Sequence, residues 1–92
     1  MPLPFDFYIP SINMCIEFDG EHHYRPVKFH PTMTDYYIHD KYQKVKRHDL
    51  IKDNFCRDNH IELLRIPYYS IRDIDEILSE RVIPKYNLAN SK

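Results

Sequence analysis

Glycine is almost missing from this chain: Gly20 is the single one. Phosphate cradles of the Walker and Rossmann kinds need several glycines in a short loop, so both are excluded. Tryptophan is absent and cysteine is scarce, with only Cys15 and Cys56. Two cysteines make no disulfide scaffold, and their spacing matches no zinc motif. A reducing, intracellular compartment is expected. Long apolar runs are lacking too, so neither a membrane-spanning helix nor a signal-peptide core is expected. Lys and Arg are missing from residues 1–24, which carry Asp6, Glu17, Asp19 and Glu21.

What is present is a 92-residue chain, 42% hydrophobic and 29% charged, with seven Pro, eight Tyr and six His. That composition is globular and the length suits one domain, expected over 1–92 with a core at about 3–82 and a short C-terminal tail. The net charge of −1 conceals a division. Residues 25–92 hold all 13 basic residues against 10 acidic ones, and six of the basic residues lie between Lys41 and Arg57. An acidic segment beside a basic one suits a metal site next to a surface that tolerates phosphates; two solvated faces are the plainer reading.

Leu3, Phe5, Phe7 and Ile9 alternate with Asp6 and Tyr8, which predicts a strand. Pro2, Pro4 and Pro10 make it an edge or interrupted strand. Ile12, Met14, Ile16 and Phe18 alternate with Asn13, Cys15, Glu17 and Asp19, predicting a second strand and an antiparallel hairpin. Residues 20–34 read as a loop, and Gly20 is expected to supply a backbone geometry that a Cβ would forbid. A Thr32 cap with Asp35 three residues on begins a helix to about Asn59. A strand over 61–66 stops at Pro67, and Ser70 with Asp73 caps a last helix to about Arg81. The order β-β-α-β-α predicts an α/β fold, a mixed sheet packed on helices.

Side-chain period two places Asp6, Glu17 and Asp19 on one face of the hairpin. Pairing of Asp6 with Glu17 or with Asp19 satisfies the pattern equally. Facing like charges are destabilising unless compensated, and oxygen ligands suit Mg²⁺, Ca²⁺ or Mn²⁺. A solvated outer face is the alternative. In the long helix Ile38, Tyr42, Val45, Asp49 and Cys56 share a stripe with Lys52 at its edge, so Asp49 falls where an apolar residue is expected. A helix rotated to turn Leu50, Ile51 and Phe55 inward would leave Asp49 exposed instead. His22 and His23 follow the second strand directly and offer acid–base chemistry near neutral pH. A histidine-rich zinc module is the weakest alternative, because the six His lack finger spacing.

These residues carry a resemblance. Leu-Pro-Phe-Asp6-Phe-Tyr-Ile-Pro, Cys-Ile-Glu17-Phe-Asp19-Gly20-Glu21-His-His23-Tyr24, Arg47-His-Asp49 and Leu-Leu-Arg-Ile-Pro-Tyr68 resemble the restriction-endonuclease-like PD-(D/E)XK superfamily. The nearest branch is the very-short-patch-repair endonucleases with their phage homing-endonuclease relatives of EDxHD type. The resemblance covers about residues 3–69. It implies a Mg²⁺- or Mn²⁺-dependent DNA endonuclease, with Asp6, Glu17 and Asp19 as metal ligands and Asp19, Glu21, His23 and Asp49 as catalytic candidates. No lysine stands in the second motif, so an acid or a histidine must activate water. Lys44, Lys46, Arg47 and Lys52 are expected to contact DNA phosphates. The family's usual N-terminal helix and first strand are missing, so a homodimer or a separate N-terminal segment is expected to complete the sheet. The resemblance places the chain in a prokaryote or a phage-infected host. A catalytically silent nuclease-fold module that binds nucleic acid or a protein is the alternative.

Overall fold

With so little glycine, the sharp corners fall to other residues. In a computed structural model describing residues 4–91, Asn13 and His60 take left-handed φ angles of 50° and 57°. Asn tolerates that region because its short polar side chain bonds locally. Here Asn13 accepts from the Tyr8 hydroxyl at 2.9 Å and donates to the His60 carbonyl at 3.0 Å. The two corners are thereby tied together, and Glu62 N donates to Asn13 O beside them.

The strands are β1 (Phe7–Ile9), β2 (Met14–Asp19) and β3 (Glu62–Pro67). The helices are α1 (Asp35–Asp58), α2 (Ile74–Arg81) and α3 (Ile83–Asn90), with 3-10 turns at Pro10–Ile12, Glu21–His23 and Tyr68–Asp73. The sheet order is β1-β2-β3, antiparallel then parallel, so the expected α/β architecture with a mixed sheet holds. Phe7 pairs with Ile16, which extends to Asp6 facing Glu17, the first of the two admissible registers.

Several expectations need correction. β1 begins at Phe7 because Pro4 cannot donate to a ladder; Pro2 and Leu3 lie outside the described residues. The cap of α1 is Thr34, whose hydroxyl accepts from Tyr37 N at 3.1 Å, and not Thr32. Asp73 precedes α2 without a side-chain cap bond, after a 3-10 turn starting at Tyr68. The expected tail is helical: α3 starts with Pro84 in its first turn, where a missing N–H costs nothing. Gly20 has an ordinary φ of −68°; a Cβ there would instead meet the His22 imidazole at 2.9 Å.

Helices cover both sheet faces. Met14, Ile16, Leu64 and Ile66 bury one face against Val82, with Ile74, Ile77 and Leu78 packed on them. Each such side chain contributes about 1.5–3 kcal/mol. Phe18 belongs to this row yet is 37% exposed and meets Phe7 edge-on. The other face carries Cys15, Glu17 and Asp19 under α1. That helix presents the stripe expected for it: Ile38 and Cys56 are buried, Asp49 and Lys52 half-buried, and Leu50 and Ile51 exposed.

Candidate functional site

The layer between α1 and the sheet is polar, and this is where the candidate residues meet. Period two turns Glu17 and Asp19 of β2 toward α1, where they are 3% and 4% exposed. Buried carboxylates need partners, and α1 and β3 provide them. Lys52 Nζ lies 2.7 Å from Glu17 Oε1. Arg65 on β3 bonds both oxygens of Asp19 through Nη1, at 3.0 and 3.1 Å. The same guanidinium reaches Asp53 Oδ1 at 2.8 Å and the Asp49 carbonyl at 3.2 Å.

His23 arrives from the turn after β2. Its Nδ1 stands 3.0 Å from both oxygens of Asp49 and 3.7 Å from Asp19 Oδ1. Asp19, His23 and Asp49 are the one group of three among the described residues whose ligand-capable atoms all lie within 4.8 Å of one another. They open into a cavity of about 440 Å³ with Arg65 and Asp53 at its back and Tyr24 and Lys46 on its wall. The cavity lies at the C-terminal ends of the parallel strands β2 and β3, the usual place for ligands on such sheets.

Other expected site residues stand elsewhere. Asp6 is exposed and accepts from Phe18 N at 2.8 Å, capping the hairpin beside Glu17. Glu21 pairs with Arg25 at 2.6 Å. Lys52, expected at the phosphates, turns inward to Glu17 and is only 16% exposed. Lys44 pairs with Asp40 on the surface, Arg47 is exposed, and Lys46 lies over the rings of Tyr24 and Tyr42. Of the two adjacent histidines, His23 meets Asp49, while His22 packs on Phe29.

Arg65 was not singled out in the sequence as a site residue. Its signal is a charge set within the apolar run Leu63, Leu64 and Ile66 of β3. Burial lowers its pKa, but the Asp53 hydrogen bond and the charges of Asp19, Asp53 and Asp49 outweigh that and raise it overall. Burial raises Glu17 above the usual carboxylate range, against the pull of Lys52.

Four acids, Glu17, Asp19, Asp49 and Asp53, face two cations, Lys52 and Arg65, in this layer. The surplus of negative charge, with two carboxylates converging beside an imidazole, fits a divalent cation held by carboxylate oxygens.

Among curated proteins, the chain is similar to uncharacterized protein 307L of Invertebrate iridescent virus 6. The two are 26% identical over 83 residues, which is 89% of this chain and 39% of that protein. The chain thus spans well under half the length of the curated relative it matches. No protein family and no solved structure matches the chain. Among the described residues, no helix is long and apolar enough to cross a membrane.

Proposed function

We propose that the protein is a divalent-cation-dependent DNA endonuclease of restriction-endonuclease-like type, acting inside cells. The observation that carries this reading is the convergence of Asp19, His23 and Asp49 at the strand ends. The hairpin followed by a parallel β2–α1–β3 unit supports it, as does the order of motifs along the chain.

Asp19 and Asp49 would hold the cation, with Mg²⁺ or Mn²⁺ as the suited ions. When bound, the cation supplies neutralisation of the charge that develops on a scissile phosphate. Asp49 fixes the His23 ring through Nδ1. With the proton on that nitrogen, Nε2 carries the lone pair that accepts a proton from the attacking water. Arg65 holds Asp19 in place from behind. Lys46 and Arg47 offer the phosphate contacts expected of the basic helix.

The deciding experiment is nicking of supercoiled plasmid with Mg²⁺ or Mn²⁺ and with EDTA. Cation-dependent nicking that Asp19→Asn abolishes is the expected result; equal, undetectable nicking in both conditions overturns the reading.

One observation favours a second reading, a nuclease-fold module that binds without cutting. Both buried acids of β2 already have cationic partners, Glu17 in Lys52 and Asp19 in Arg65. That reading predicts salt-sensitive DNA binding unchanged by Asp6→Ala, with no cation-dependent cleavage.

A further inference from the structure

Three tyrosines stand together beside the cavity, and one of them, Tyr24, lines it. Tyr24 follows the Glu21–His23 turn, and Tyr68 and Tyr69 follow β3. Their ring centroids lie 5.9 Å apart for Tyr24 and Tyr68, 5.8 Å for Tyr24 and Tyr69, and 5.5 Å for Tyr68 and Tyr69. None belongs to the core: they are 40%, 38% and 67% exposed in chain order. The rings meet at tilted and edge-on angles and do not stack face to face on one another.

Cations adjoin the cluster. Lys46 Nζ lies 5.9 Å from the centroid of Tyr24. Arg25 Nη2 donates to the Tyr68 hydroxyl at 3.3 Å. Tyr24 and Lys46 also form the wall of the cavity that holds Asp19, His23 and Asp49. Exposed aromatic rings beside cations, sharing a wall with an acidic site, match the needs of a nucleotide: stacking for the base and positive charge for its phosphate. In a duplex the π-faces of the bases are hidden in the stack, so an intact duplex has nothing to lay on these rings.

We propose that the tyrosine cluster is a stacking platform for an unpaired base of single-stranded DNA, with the adjoining phosphate beside Lys46. This rests on the nuclease reading and narrows its substrate from DNA in general to a strand with an unstacked base. An apolar protein patch is the less suited occupant, because the Lys46 ammonium stands over the Tyr24 ring.

The test measures binding in EDTA, so that cleavage plays no part. The ligands are a short oligothymidine, an abasic tract of equal length and the matching duplex, all at one salt concentration. Oligothymidine is expected to bind at least about fivefold more tightly than either of the others, the scale of a single base–aromatic stack. Tyr69→Ala is expected to erase that preference and Tyr69→Phe to keep it. Circular dichroism should be unchanged in both variants, because Tyr69 is exposed. Equal affinity for oligothymidine and the abasic tract overturns the proposal, as does a Tyr69→Ala variant that keeps the preference. Cation-dependent plasmid nicking together with equal affinities would leave the nuclease reading standing and remove the platform. The preference without any nicking would do the reverse.

Discussion

His23 Nδ1 sits 3.0 Å from each carboxylate oxygen of Asp49, although 26 residues separate them along the chain. The carboxylate fixes both the rotation of the imidazole and the nitrogen that carries its proton. Asp49→Asn is therefore expected to lower plasmid nicking by about 10–100-fold, the usual effect of losing an orienting partner. His23→Ala should cost about 100-fold or more, as for a general base. Nicking at the wild-type rate in both variants would remove the pair from the reaction.

The Lys52–Glu17 pair is buried on the acid's side and nearly so on the lysine's. Removing one partner strands the other, so Lys52→Met is expected to destabilise the fold by about 3 kcal/mol in urea unfolding. Adding Glu17→Leu should recover most of that loss. Burial already raises the Glu17 pKa and Lys52 opposes the rise. Carboxyl NMR titration should therefore show it higher still in Lys52→Met.

Arg65 bonds Asp19, Asp53 and the Asp49 carbonyl with one planar fork. Lysine offers a single point charge and cannot reproduce that geometry. Arg65→Lys should lose about 1.5–3 kcal/mol, the range for hydrogen bonds to charged groups. Chemical denaturation against the wild type measures it, and a loss within error would show that the fork adds nothing to the fold.

Cation binding to the folded state alone raises its melting temperature by mass action. Mn²⁺ in large excess over its dissociation constant is expected to raise the midpoint by several degrees, and EDTA to return it. Asp19→Asn should abolish the rise. An identical rise in that variant would place the ion elsewhere.

Burial pushes the Cys15 thiol from 9.0 up to about 11. The folded state disfavours the thiolate, so this group's contribution to stability is complete below the unfolded value and is lost as pH rises through the folded one. Urea unfolding should show a stability decline between about pH 9 and pH 11 that is shallower in Cys15→Ala. Iodoacetamide at neutral pH should label Cys15 slowly, at a rate set by the small population of the opened state.

Much of this arrangement was legible in the chain. Strand alternation assigned Glu17 and Asp19 to one face, and helical periodicity put Asp49 on a stripe with Ile38 and Cys56, with Lys52 at its edge. Both patterns depend only on bond geometry repeating along an element. The misreadings came where local signals compete. Thr32 and Thr34 are both plausible caps, and backbone position alone selects Thr34. Phe18 continues an apolar row, but it stays outside the buried core and packs on Phe7. Residues after Arg81 have little amphipathic pattern, and α3 forms through contacts with α2 and the Pro10–Ile12 turn.

The sequence by itself determined that Cys15, Glu17 and Asp19 share one face of the sheet and that Asp49 and Cys56 share one stripe of the helix; that this stripe turns inward, and takes Lys52 with it, was decided by the tertiary structure. Only the tertiary structure decided who pairs with whom. Periodicity fixes direction within an element but says nothing of the offset between elements distant in sequence. The parallel register sets Arg65 opposite Glu17, yet its longer reach carries the guanidinium to Asp19 and leaves Glu17 to Lys52. The same offset brings His23, and not His22, to Asp49, and gathers Tyr24 with Tyr68 and Tyr69 beside the cavity.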